Sequence, residues 1–287
     1  MKNLCTLLLL TLALTINAQR SFEGKATYMS KTTVDMSSWG GNRQLSEAQK
    51  KQIAARMKSM LEKTYILEFN QTESLFKEDE KLESPGNSGR GFRFGGFGGA
   101  GTTYKNTKDK VALEATEFFG KNFLVSDEME TPKWEMSTET KKIGNYTCYK
   151  ATMMKDVDPL DMTNMRRRNR SNDNKEETKK DSTKTTKISD ELEVPKQILV
   201  TAWYTPQIPV TNGPAEYWGL PGLILEVNAG RTTMLCTELV LNPTDEIKIE
   251  APTKGEKITR KKYTKTVTQK MEEMRNSWRG NRRGRRF

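Results

Sequence analysis

Histidine is absent from all 287 residues. No Ser-His or Cys-His general base can operate, and no imidazole can hold zinc, haem or iron. Any chemistry would fall to carboxylates, lysines and thiols. Asp156, Asp158 and Asp161 stand close enough in sequence for calcium. The glycine and the distal bidentate glutamate of an EF-hand loop are missing, so a solvated loop is expected there. Glu226 and Glu238 could face each other across strands as glycosidase carboxylates, but a β-rich chain with 37 acids offers many such pairs. No sequence feature marks a serine–lysine pair. The sequence therefore assigns no catalytic residue, metal ligand or cofactor. Two features remain for a site. Cys148 and Cys236 are an even pair of thiols in strand-like runs, a candidate disulfide or two buried small hydrophobes. Tyr217, Trp218, Gly219, Leu220, Pro221 and Gly222 form a candidate ligand- or partner-binding edge, with two large aromatics at the lip of a tight turn. The turn itself is dictated locally: Gly219 and Gly222 permit positive φ or close backbone approach, and Pro221 fixes φ between them. Its structural reading is a turn that sets the register of the strand behind it.

The first residues say where the chain goes. Met1-Lys2-Asn3 is a short basic start, and Leu4 to Ile16 is an apolar run shorter than the roughly 20 residues a membrane span needs. Asn17-Ala18 precedes an expected cut before Gln19, so residues 1–18 read as a signal peptide. Cys5 lies inside the apolar run and cannot be a lipoprotein acylation site. The expected compartment is the periplasm or cell envelope, with no transmembrane span.

The net charge of +11 resembles a nucleic-acid signal until it is located. Between Arg166 and Lys187, nine basic residues face four acidic ones, and Arg275 to Phe287 holds six arginines and no acid. The rest of the chain is nearly neutral. The segment 166–190 has almost no apolar residue with which to offset the entropy of ordering. The segment 84–103 is dominated by glycine with interleaved Phe92, Phe94 and Phe97, and glycine at that density disfavours helix and strand. Both are expected as disordered inserts. Residues 281–287 form an Arg-rich tail, for which peripheral contact with anionic membrane is expected and nucleic acid is not.

Between these segments the pattern is one of strands. Phe22, Gly24, Ala26 and Tyr28 alternate with polar neighbours. Ser46 with Gln49 forms a capping box ahead of a helical face containing Ile53, Met57, Met60 and Leu61. Residues 65–69 and 74–77 flank a polar turn as a hairpin does. Further runs cover 111–119, 122–125, 133–136, 146–153, 197–204, 223–227, 232–240 and 246–250. Tyr263, Val267, Met271, Met274 and Trp278 make one stripe of a final helix. The expected fold is α+β, mainly antiparallel: one curved or partly closed sheet, one helix in the N-terminal half and one at the C-terminus, all in a single domain over 19–280.

Residues 211–227 read TNGPAEYWGLPGLILEV, and Gly219-Leu220-Pro221-Gly222-Leu223-Ile224 closely resembles the namesake motif of the GLPGLI family, exported proteins of Bacteroidetes. Trp203-Tyr204-Thr205, Ile208-Pro209 and Gly213-Pro214 precede the motif as in that family. Residues 142–151, KIGNYTCYKA, resemble its I-x-x-Y-x-C-x-K-A stretch, and the Trp134 region resembles the strand before it. The likeness runs from about Phe22 to the final helix. It implies an exported β-rich domain and no established activity. Three functions follow as expectations: a non-catalytic envelope binding or accessory module with an outer-membrane partner, a carrier of an apolar or lipid ligand in a half-barrel cavity, and a carboxylate-dependent hydrolase.

Overall fold

The computed structural model describes residues 22–33, 46–79, 101–160 and 197–283. The signal peptide, residues 84–100 of the first insert, the whole of 166–190, and Asp161 lie outside the described residues.

Alternation of buried and exposed positions sets the first strand, β1 (Gly24–Thr32), in which Gly24, Ala26, Tyr28 and Ser30 are buried. Helix α1 (Glu47–Leu61) begins at the capping box: Gln49 N donates to Ser46 Oγ at 3.3 Å, and Ser46 N donates to Gln49 Oε1 at 3.0 Å. The hairpin follows as β2 (Glu62–Phe69) and β3 (Glu73–Glu78). Its turn closes on Asn70, whose Oδ1 accepts from Thr72 N and Glu73 N. Then come β4 (Thr102–Asn106), β5 (Val111–Phe118), β6 (Lys121–Glu128), β7 (Glu135–Ile143), β8 (Tyr146–Asp156), β9 (Gln197–Thr205), β10 (Leu223–Ala229), β11 (Thr232–Leu241), β12 (Glu256–Ile258) and helix α2 (Arg260–Arg283).

All twelve strands join one sheet in the order β12-β6-β5-β4-β3-β2-β1-β11-β10-β9-β8-β7. Every pairing is antiparallel except that of β12 with β6. The mainly antiparallel fold with few helices is as expected, but the sheet is open, with β7 and β12 at its two ends. Three local expectations are corrected. Thr102 and Thr103, assigned to the Gly-rich insert, belong to β4 and pair with β3 and β5. Residues 246–250 alternate as a strand does yet form none; the strand that precedes them, β11, is already paired on both sides by β1 and β10. Finally, α2 runs to Arg283, into the segment set apart as a tail.

One core cluster gathers Tyr28, Tyr65, Leu67, Phe69, Phe76, Cys148, Leu223 and Leu225 with Ile208 and Val210 from the β9–β10 connection. A second holds Ala151, Val200, Ala202, Tyr204, Ile224 and Val227 with Tyr217 and Leu220 from the same connection. Leu223, Ile224 and Leu225 are all buried, and a bulge between Ile224 and Glu226 accompanies that departure from simple alternation. A third cluster, Phe118, Phe123, Val125, Ile258, Tyr263 and Val267, seats α2 on β6 and β12.

Candidate functional site

The chain between β9 and β10 does not loop out into solvent. Residues 206–222 fold back on the sheet, and the local sequence fixes how. Leu223 N donates to Ile208 O at 3.0 Å, Ile224 N to Asn212 O at 3.1 Å and Gly219 N to Thr211 O at 2.8 Å. The two motif glycines serve different ends. Gly219 has φ +88°, a left-handed conformation that a side chain resists. Gly222 does not; a Cβ there would stand 2.2 Å from Thr205 O, so this position requires glycine for close approach. Gly213 is similarly crowded by Ile224.

The six residues of the candidate edge are mostly taken up by packing. Tyr217 is 5% exposed, Trp218 8% and Leu220 fully buried, while Pro221 is exposed and Gly219 and Gly222 are held as described. Trp134 Nε1 donates to Trp218 O at 2.8 Å, tying the start of β7 to the motif. This burial favours the structural reading of the turn.

Beneath the crossover lies a buried polar group that the sequence did not reveal. Lys105 on β4 is 1% exposed, and its Nζ donates to Gly213 O at 2.7 Å and Tyr217 O at 3.0 Å. Its cross-strand partner is Ser74 on β3, whose Oγ donates to Asn212 Oδ1 at 3.1 Å. Ser74 and Asn212 are both fully buried, and Asn212 Nδ2 has no partner among the described residues. Burial pushes the Lys105 ammonium down to about 7, against the opposing pull of the Glu216 carboxylate. A neutral amine carries two N–H donors, which matches the two carbonyls. This group clamps residues 212–217 to the sheet. A lysine inside a strand of threonine, tyrosine and asparagine reads as solvent-facing, and Asn212-Gly213 reads as an ordinary turn. Nothing in the local pattern distinguishes either from its common role.

At the surface of the clamp, Lys155 pairs with the exposed Glu216, and its Nζ lies 5.4 Å from the Tyr217 ring centroid. Farther along the sheet, Lys141 reaches Glu226 at 2.6 Å and sits 4.4 Å above the Trp203 ring. Glu226 also accepts from Asn228, which in turn accepts from Thr233. Glu226 and Glu238 do not face each other: Glu226 stands opposite Leu235, and Glu238 opposite Thr27. Asp156 accepts from Gln197 and Asp158 from Leu160 N. Among the described residues no three metal-ligating side chains converge.

Cys148 and Cys236 are free thiols, one buried and one half-buried, beside the same core cluster. Burial pushes them up to about 11 and about 12 respectively. The two thiols are not bonded to each other in this structure, and two strands, β9 and β10, lie between β8 and β11 in the ladder.

A family model described as "Protein of unknown function (Porph_ging)" matches residues 134–226. That window opens at the Trp134 tie and includes the whole crossover and the GLPGLI-like motif. No curated protein matches the chain. Among solved structures, "Structure of PNGF-II in C2 space group" is 13% identical with a TM-score of 0.46, covering 86% of this chain and 33% of that one. "Structure of PNGF-II in P21 space group" is 13% identical with a TM-score of 0.41, covering 79% and 29%. The chain thus spans about a third of the length of these structures.

Proposed function

We propose that the mature chain is an exported binding or accessory module of the cell envelope, acting without catalysis on an outer-membrane partner. The observation that carries this reading is a set of apolar cross-strand pairs left in solvent. Met154 and Leu199, paired between β8 and β9, are 59% and 57% exposed. Met29 and Leu235, paired between β1 and β11, are 48% and 37% exposed. Single exposed hydrophobes are ordinary, but adjacent ones on the rigid strands of a sheet make a surface that another chain can cover. A carrier would need that volume inside the sheet, and the crossover's own Ile208, Val210 and Leu220 pack into the core instead. No described helix is long and apolar enough to cross a membrane.

The test uses the tagged full chain in the cells that make it. A photo-crosslinking residue at Leu199 should capture one envelope protein, and Met154→Lys with Leu199→Lys should abolish the capture without lowering Tm. N-terminal sequencing should find Gln19 first. Capture unaffected by the two lysines, or an intact Met1, would refute the proposal.

A further inference from the structure

Helix α2 is built in two unlike halves. Its first half is fastened to the sheet: Tyr263 and Val267 are buried against Ile258, Phe118 and Phe123, and Met271 packs on the same cluster. The Tyr263 ring meets Phe123 edge-on at 5.5 Å. Arg260 clamps the start, its backbone N–H donating to both oxygens of Asp127 at 3.1 Å while its guanidinium pairs with Glu114. Beyond Met271 the helix continues to Arg283, a further length of about 18 Å. Among the described residues, no position after Met271 joins the core clusters.

The composition of α2 is lopsided, with nine lysines and arginines against two glutamates. From Met274 to the C-terminus the sequence has no acidic residue. At 3.6 residues per turn, the positions of Tyr263, Val267, Met271, Met274 and Trp278 share a sector of about 80°. The positions of Lys261, Lys265, Arg275, Arg279, Arg282 and Arg283 fall in the adjoining sector of about 100°, which they share with Thr264, Thr268 and one acid, Glu272. Lys261 and Lys265 are exposed. Arginines near a helix C-terminus also complement its dipole, but that effect acts within the last turn and does not call for a basic band along the helix.

We infer that the second half of α2 is a docking element for an anionic phospholipid surface. The basic band meets the headgroup phosphates, and the stripe continued by Met274 and Trp278 beside it enters the headgroup–acyl boundary. That pairing of a basic face with an adjacent apolar one is the pattern of interfacial helices. Binding to a nucleic-acid backbone would use the charge and leave the apolar stripe without a role. The packed first half makes the attachment rigid, so docking would set the orientation of the whole sheet. The inference does not rest on the Met154–Leu199 surface: either attachment can fail while the other stands.

The experiment is co-sedimentation of the full mature chain with vesicles of equal parts phosphatidylglycerol and phosphatidylcholine, against phosphatidylcholine alone. Binding is expected only to the mixed vesicles and should be lost between about 50 and about 500 mM salt. Each basic residue near an anionic surface strengthens binding about fivefold, so Arg275, Arg279, Arg282 and Arg283→Gln should weaken it at least thirtyfold. A second variant with the same net charge, Lys108, Lys133, Lys248 and Lys254→Gln, should stay within threefold of the unaltered protein. Equal losses in both variants would assign the binding to net charge and overturn the inference. So would unchanged binding by the arginine variant, salt-insensitive binding, or preference for a duplex DNA fragment over the mixed vesicles.

Discussion

Replacing Lys105 by methionine tests the clamp under the crossover directly. Methionine keeps most of the lysine's apolar stem and deletes the amine, leaving Gly213 O and Tyr217 O without the donor at 2.7 and 3.0 Å. A buried acceptor left unpaired costs about 1–3 kcal/mol, so two should cost about 2–6 kcal/mol at a pH where the amine is neutral in both the folded and the unfolded chain. The pH dependence is the sharper signature. The folded-state value of about 7 lies below the ordinary lysine value of about 10.4. Between them the unfolded chain holds a proton that the native protein lacks, so stability rises with pH across that window, and below about 7 the desolvation cost is fully felt. The slope approaches about 1.4 kcal/mol per pH unit. Cys148 and Cys236, pushed up by burial, act in the opposite direction as pH rises through about 9, and a difference between variants removes their contribution. Urea unfolding at pH 7.5 and 8.5 should therefore show wild type gaining about 1 kcal/mol relative to Lys105→Met. Parallel pH profiles for the two proteins would refute the reasoning, as would a variant as stable as wild type at both values.

Gly222→Ala should cost more than about 2 kcal/mol in thermal or urea melts, because its Cβ would meet the Thr205 carbonyl oxygen at 2.2 Å; a loss below about 1 kcal/mol would show that the backbone yields there. Trp218→Ala should cost about 3–5 kcal/mol, as for a buried aromatic in a core, and a melt like wild type would return this ring to the role of a recognition anchor. Non-reducing and reducing melts of the mature chain should coincide, and a thiol reagent should modify half-buried Cys236 before buried Cys148; a reductant-sensitive Tm would show the two thiols joined.

Elements with local rules were legible in the sequence. The Ser46–Gln49 box and the Asn70 turn are written in side chains that bond their own neighbours, and Tyr263, Val267 and Met271 share a helical period that survives in α2. What could not be read depends on partners far away. β4 hides because glycine-rich chain runs up to Thr102 and because Lys105 is polar at a buried position; its partners lie more than a hundred residues on. Glu246 to Glu250 has the right alternation and pairs with no strand. The motif glycines were recognisable as constrained, but only the fold shows that Gly219 answers to φ and Gly222 to the Thr205 carbonyl. The role of the candidate edge stayed open in the sequence, since burial of Tyr217 and Trp218 depends on how the crossover lies on the sheet.

The place of β1 in the ladder has a consequence for the order in which the molecule can be made. β1, the first of the described strands, sits in mid-sheet, between β2 and β11, and the hydroxyls of Thr32 and Thr232 meet across 200 positions of sequence. A ribosome delivers β2 soon after β1 but β11 only about 200 residues later, so until then β1 presents a bare edge. Contacts of such separation slow folding, and an unpaired edge invites association with other chains. A product that stops before Thr232 should lack the central seam of the sheet, because β1 has no partner on that side until β11 has been delivered.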